Sequence, residues 1–216
     1  MITLKKYAAI DIGSNAMRLL VTNIVEQKGQ PTQFNKSSLV RVPIRLGQDA
    51  FTVGDISDDN ISRMLDAMKA FSLLMKVHKV EQYKACATSA MREANNGAEI
   101  VQLIKKKTDI KIDIIDGKKE AAIIAASDLK QFINLDKTYL YVDVGGGSTE
   151  FSLFQEGKIV SSKSFKNGTV RLLNNMVSDI VWTEIEKWIK NAVAPYEEIT
   201  LIGSGGNINK LFKLSE

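Results

Sequence analysis

The apolar positions fall into runs whose spacing changes along the chain, and each change marks an element. Tyr7-Ala8-Ala9-Ile10 delivers Asp11, Ile12 and Gly13, then a small polar turn, then a second apolar run from Leu19 to Ile24. A glycine-bearing turn between two strand-like runs predicts a hairpin. From Ser57 the period lengthens. Ile61, Met64, Leu65, Met68, Phe71 and Leu74 keep the three-and-four spacing of a one-sided helix, and Ser57, Asp58 and Asp59 supply capping chemistry at its start. A second helix is expected over Trp182 to Ala192, anchored by Trp182, Ile185, Trp188 and Ile189. Tyr83–Ala87 and Ile199–Ile202 read as short strands, leading into Thr88-Ser89-Ala90 and Gly203-Ser204-Gly205-Gly206.

The pattern occurs twice. Leu140-Tyr141-Val142-Asp143-Val144-Gly145 repeats the first strand, and its turn runs on into Phe151–Phe154. Val42-Pro43-Ile44-Arg45-Leu46 has a counterpart in Gly168-Thr169-Val170-Arg171-Leu172. Strand, turn, strand, strand, helix, strand in both halves is most simply a duplication. Only the first half continues, through a helix at Ala98–Lys107, a strand at Ile110–Ile115 and a crossing helix at Lys118–Phe132. The second half stops at Glu216, soon after its glycine turn. The expectation is an α/β architecture of two related lobes, residues 1–125 and 126–216, the second cut short.

Composition narrows the chemistry. The chain has 216 residues, 44% hydrophobic and 25% charged, ordinary for a globular protein with a sizeable core. No apolar run approaches the ~20 residues of a membrane span, and the amino terminus lacks a signal pattern; a cytoplasmic location is expected. The single cysteine, Cys86, lies in an apolar stretch and reads as a small core residue. The single histidine, His78, closes a helical run and cannot build a zinc site alone. Any metal would be a hard cation held by oxygen. A net charge of +4 favours anionic partners, but no basic arm or aromatic-interleaved stripe points to a nucleic acid polymer, and neither that nor a membrane is expected as a partner. A homodimer stays open.

The chemistry concentrates in the two turns. Gly145, Gly146 and Gly147, followed by Ser148, let the backbone approach a ligand closely and can form an anion-binding nest. A lone triple glycine reads equally well as a hairpin tip. Here Asp143 and Glu150 flank it, and carboxylates beside phosphate require a bridging divalent cation, the usual magnesium arrangement. A P-loop is excluded because no G-x-x-x-x-G-K-[ST] occurs, and a Rossmann turn because a strand follows where a helix is required. In the first copy Gly13, Ser14 and Asn15 form the turn, and Arg18 stands where the second copy has Glu150. Arg18 offers a fork for phosphate; the alternative is an Asp11–Arg18 pair across the hairpin. Two such turns facing each other would present phosphate on one side and metal on the other.

Asp11-Ile12-Gly13-Ser14-Asn15, Ala87-Thr88-Ser89-Ala90-Met91-Arg92-Glu93-Ala94, Asp143-Val144-Gly145-Gly146-Gly147-Ser148-Thr149-Glu150 and Gly203-Ser204-Gly205-Gly206 together resemble the exopolyphosphatase and guanosine pentaphosphatase family, in the right order over essentially the whole chain. The resemblance implies duplicated ribonuclease-H-like lobes of the actin, Hsp70 and sugar-kinase superfamily. It further implies hydrolysis of terminal phosphate from polyphosphate, or of the 5′ γ-phosphate from guanosine pentaphosphate. It makes Glu120, in Gly117-Lys118-Lys119-Glu120-Ala121-Ala122, the general base, although position alone favours a helix-dipole role. It also places Arg92 on phosphate, against a helix-surface alternative. Magnesium would be held by Asp143 and Glu150, with Asp11. Lys119 and Ala122 depart from the family's usual acidic residue and arginine. Two rival readings are an ATP-dependent kinase using Gly203–Gly206 and a non-catalytic module that senses polyphosphate or alarmone.

Overall fold

A computed structural model describes residues 2–126 and 134–215, with the side chains of residues 124–126 left out. The far end of the expected Lys118–Phe132 helix lies outside the described residues. The chain divides into two compact units, Met1–Ile115 and Asp116–Glu216. The division precedes the crossing helix, which packs with the second unit, whereas the sequence reading kept its beginning in the first lobe and divided the chain at 125/126.

The first unit is built on a five-stranded mixed sheet of order β3-β2-β1-β4-β5. Its strands are β1 (Ile2–Ile12), β2 (Ala16–Gln27), β3 (Gln33–Pro43), β4 (Gln82–Ala87) and β5 (Ile112–Ile114). β1 pairs antiparallel with β2 and parallel with β4, so the hairpin extends one side of the sheet and a helical crossover the other. The helices are α1 (Leu46–Thr52), α2 (Asp58–Val77), α3 (Ser89–Glu93) and α4 (Gly97–Thr108). α2 packs on β2 and α4. Met64, Met68 and Phe71 are buried as the helical spacing requires, together with Ala67 and Met75. Ile10, Ile12, Leu19, Val21, Ala85 and Ala87 supply the sheet side of the core.

The second unit repeats the plan with a four-stranded sheet of order β8-β7-β6-β9. Its strands are β6 (Thr138–Val144), β7 (Thr149–Gln155), β8 (Lys158–Phe165) and β9 (Ile199–Ser204). α5 (Gly117–Ala126) precedes them; α6 (Thr169–Leu173), α7 (Asp179–Val193) and α8 (Gly206–Ser215) follow. The duplicated α/β topology with mixed sheets flanked by helices is therefore present, and the first sheet has one strand, β5, with no counterpart among the described residues. Trp188 packs tilted against Phe151 and edge-on to Phe165, with ring centroids 6.0 and 6.2 Å apart. Ile185 is buried beneath. Trp182, expected as an anchor, is 48% exposed; the helix begins at Asp179, and it is the neighbouring Val181 that packs on the core together with Ile185 and Trp188. Cys86 is half-buried rather than a core residue. No helix among the described residues is long and apolar enough to cross a membrane.

The start of α2 is fixed by a polar cluster rather than by the cap alone. Ser57 Oγ accepts from the Asn60 amide at 3.4 Å and donates to Asp49 Oδ2 at 2.6 Å. The same carboxylate oxygen accepts from the Ser57 amide at 2.9 Å and Asn60 Nδ2 at 2.8 Å. Partial burial raises the Asp49 carboxyl, but the bonds from Ser57 and Asn60 outweigh it and hold the group below its ordinary value. A carboxyl depressed in the folded state contributes stability above about pH 4, lost as pH falls through the folded value. The stability difference between wild type and Asp49→Asn in urea unfolding is therefore expected near neutrality and shrinks below about pH 4. Ser57→Ala should cost about 1 kcal/mol in the same measurement.

Candidate functional site

The two hairpins are superposable in their bonding. In the first, the Gly13 amide donates to Ala16 O at 3.1 Å; in the second, the Gly145 amide donates to Ser148 O at 3.0 Å. Each turn is then held from outside through its carbonyls. Arg45 and Gly47 donate their amides to Asn15 O at 3.0 Å and Ser14 O at 2.8 Å, and Thr169 and Val170 donate to Gly145 O at 2.9 Å and Gly146 O at 2.8 Å. The amides of Ser14, Asn15, Gly146 and Gly147 have no hydrogen-bond acceptor among the described residues. Carbonyls occupied and amides left over is the electrostatic pattern of an anion nest.

The bracing segments need glycine for steric reasons. A Cβ on Gly168 would stand 2.3 Å from Gly146 C and O and 2.4 Å from Gly147 N. A Cβ on Gly47 would meet Ser14 Cβ at 2.9 Å. This bonding aligns Gly47 with the Gly168–Val170 stretch, so the residue-by-residue match of 42–46 to 168–172 does not hold. Arg45 sits before its helix with a left-handed backbone, whereas Arg171 lies inside α6, buried, its Nε donating to Gly147 O at 2.8 Å. Arg171 and Gly168 are site residues that the repeat hinted at without giving their function.

Within the first unit, Asp11 and Arg18 are direct cross-strand partners. Arg18 Nη1 lies 2.7 Å from Asp11 Oδ2, with both side chains about half exposed at 47% and 48%. The hairpin ion pair that the sequence offers as the alternative is therefore present. An exposed pair of this kind contributes about 0–1 kcal/mol, so it is easily exchanged for another anion. Ser14 is buried, its Oγ 2.9 Å from that of Ser89 at the start of α3; Asn15 is exposed. Arg92, on α3, donates Nη1 to Ile115 O at 2.5 Å and is half-buried. One edge of its guanidinium thus holds the end of the first unit, leaving the rest of the fork for other acceptors.

Within the second unit, Asp143 and Glu150 are direct cross-strand partners on β6 and β7. Glu150 is 3% exposed, and its Oε1 accepts from Ser148 Oγ at 2.5 Å and Ser164 Oγ at 2.9 Å. A carboxylate so deeply buried stays charged only when hydroxyls or cations compensate it. Ser164, on β8, carries no signal in the sequence because nothing local announces its reach across the sheet. Beyond Asp143, Tyr141 has its hydroxyl pushed up first by burial, against a hydrogen bond from Ser204 and with the Asp143 charge adding. Glu120 lies in the first turn of α5, half-buried, its amide donating to Asp116 O at 3.0 Å. Asp116 caps that helix, accepting from the Lys119 amide at 2.7 Å. The cap of that helix is therefore Asp116, and Glu120 keeps its place in the first turn, where the helix-dipole role also applies. The opening turn of α5 and Glu150 line a common cavity of about 440 Å³, with Gly117, Lys118, Lys163 and Ser164. No group of three His, Cys, Asp or Glu side chains suited to a metal occurs among the described residues.

Comparison with known proteins places this geometry. The Ppx/GppA phosphatase family model matches residues 24–201. A bifunctional 3-dehydroquinate synthase/phosphatase of Fusobacterium nucleatum is 31% identical over 216 residues, covering 92% of this chain and 32% of that protein. A guanosine-5'-triphosphate,3'-diphosphate pyrophosphatase of Photobacterium profundum is 27% identical over 217 residues, 95% of this chain and 42% of the relative. The crystal structure of an exopolyphosphatase from Cytophaga hutchinsonii matches with TM-score 0.83 at 26% identity, covering 97% of this chain and 70% of that one. The chain thus spans less than half the length of these two curated relatives. With the family model extending over most of its residues and both turns built alike, the chain belongs to the Ppx/GppA phosphatase family.

Proposed function

We propose that the chain carries the chemistry of a phosphohydrolase that releases terminal phosphate from inorganic polyphosphate. The observation that carries this reading is the pair of turns with braced carbonyls and amides left without acceptors. Guanosine pentaphosphate, named for the Photobacterium relative, is the alternative substrate.

Ser14 and Asn15 in the first unit and Gly146, Gly147 and Ser148 in the second bind phosphate oxygens through backbone amides, while the amides of Gly13 and Gly145 close their own turns. Arg18 exchanges Asp11 for phosphate, and Arg92 offers the part of its fork not spent on Ile115. Glu120 orients the attacking water and takes its proton as oxygen bonds to the terminal phosphorus in line. The bridging P–O bond breaks, orthophosphate leaves, and the shortened chain departs with the electron pair of its terminal oxygen. Magnesium, when bound, supplies positive charge to the phosphate oxygens. The donor set fits it: Asp143 and Glu150 are hard oxygen ligands standing opposite each other, and this cation typically takes one or two carboxylates and completes its shell with water and phosphate. Asp11, the further metal candidate on the first unit, is tied to Arg18. The expected setting is a cytoplasmic one, with no nucleic acid polymer or membrane as partner.

Glu120→Gln should lower phosphate release from long polyphosphate by about 10²- to 10⁴-fold with substrate binding retained. Equal rates for the two proteins would remove Glu120 from the base position. Chelating divalent cations should abolish turnover, and magnesium should restore it; full activity in chelator would remove the metal from the reading. Gly168→Ala should cost about 1–3 kcal/mol through overpacking against the glycine turn, visible in urea unfolding, and lower polyphosphate affinity in parallel. Phosphate release from guanosine pentaphosphate but not from polyphosphate would transfer the assignment to the alarmone, and transfer of phosphate from ATP to an alcohol would favour a kinase.

A further inference from the structure

The segment that braces the first turn contains a residue the turn does not need. Arg45 has φ 65° and ψ 40°, the left-handed region, where a Cβ costs about 1–2 kcal/mol and glycine costs nothing. Bracing uses only its backbone amide, which donates to Asn15 O. Its side chain is exposed and makes no hydrogen bond or ion pair among the described residues. Glycine would hold the turn equally well with less strain, and strain retained beside a ligand-binding turn calls for a function of the side chain.

A second observation lies in the sheet register. Arg41 on β3 is the direct cross-strand partner of Arg18, which in turn pairs with Asp11. Like charges placed opposite each other on a sheet repel. Asp11 compensates Arg18 through the 2.7 Å ion pair, while Arg41 is exposed and has no carboxylate partner among the described residues. Arg41 and Arg45 are four positions apart, the one opposite Arg18 in the sheet and the other bonded by its amide to Asn15 O, and neither side chain has a carboxylate partner among the described residues. Two forks beside one anion nest suit a ligand whose charge continues beyond the first phosphate.

We infer that Arg41 and Arg45 form a subsite for the phosphates next to the one held at Gly13–Asn15, so that the first unit is built to bind a chain polyanion rather than a single phosphate. The inference rests on the phosphohydrolase reading and deepens it. Both arginines are positioning residues, acting on substrate affinity and not on the attacking water.

The test is calorimetric binding of long-chain polyphosphate and of orthophosphate, with turnover measured alongside, for wild type, Arg45→Gly, Arg41→Gln and the charge control Lys69→Gln on α2. Arg45→Gly should keep or raise the urea midpoint, because the strain is relieved. It should weaken long-chain binding by about tenfold, make that binding less sensitive to salt, and change orthophosphate binding less than about twofold. Arg45→Asn, which tolerates the same backbone, must show the same loss. Arg41→Gln should weaken the long chain in the same direction, and Lys69→Gln should change neither ligand. Unchanged long-chain binding in Arg45→Gly and Arg45→Asn overturns the inference, as does an equal loss for both ligands, which would mean that the turn itself had been damaged. Wild-type binding without turnover would remove the hydrolytic reading and leave the subsite standing; a wild type that binds neither ligand removes both.

Discussion

Everything distinctive in this chain depends on a contact between two pieces of backbone. The segment after each hairpin runs so close over the glycine turn that Gly168 leaves no room for a side chain between it and Gly146. The approach satisfies the turn's carbonyls and leaves the amides of Gly146 and Gly147, and of Ser14 and Asn15 in the first copy, without acceptors. Backbone amides placed this way give a fixed positive potential that no side-chain rotation can dissipate. The arrangement also decides where mutations are tolerated: a turn built from backbone is indifferent to charge but unforgiving of volume.

The architecture was legible because both periods are strong. The apolar runs at Tyr7–Ile10 and Leu140–Val142 lie in β1 and β6, and the three-and-four spacing from Ile61 gives the buried face of α2. What the sequence could not carry was reach. Ser164 lies 14 positions from Glu150 yet donates to its Oε1, because β8 pairs Ser164 with Glu150 in register. Asp49 organises the start of α2 from a different helix. Trp182 shows the opposite limit: a large aromatic at helical spacing suggests core, but the helix begins earlier and turns that position outward.

The candidate site shows the same division between type and partner. Residue types at the turns could be read directly, since glycine runs, flanking carboxylates and an arginine are chemical facts of the sequence. Partnership could not. The sequence offers Arg18 both as a phosphate ligand and as half of a hairpin ion pair, and the structure contains the ion pair with Asp11. Arg92 likewise spends a donor on Ile115 O. Both facts have one cause: a guanidinium is a donor of several hydrogen bonds and takes the oxygens that the fold places within its reach. The match between 42–46 and 168–172 fails for a different reason, because chain similarity pairs Arg45 with Arg171 while the hydrogen bonds pair Gly47 with Val170, each donating its amide to the second residue of its turn.

That failure separates the two copies chemically. In the second unit the arginine near the turn, Arg171, is buried and bonded to Gly147 O, so it serves the turn's own structure. In the first unit the arginines are on the surface: Arg18 is held only by an exposed pair, and Arg41 and Arg45 are exposed as well. The carboxylates divide the other way, since Glu150 is buried and held by two hydroxyls while Asp11 is half exposed and neutralised. A buried, oriented carboxylate beside Asp143 can hold a cation in fixed geometry. Exposed cations on long flexible stems suit a ligand that arrives in many conformations. Duplication therefore supplied two backbone turns closed in the same way, and the side chains around them diverged, buried and hydrogen-bonded in the second unit, exposed and cationic in the first.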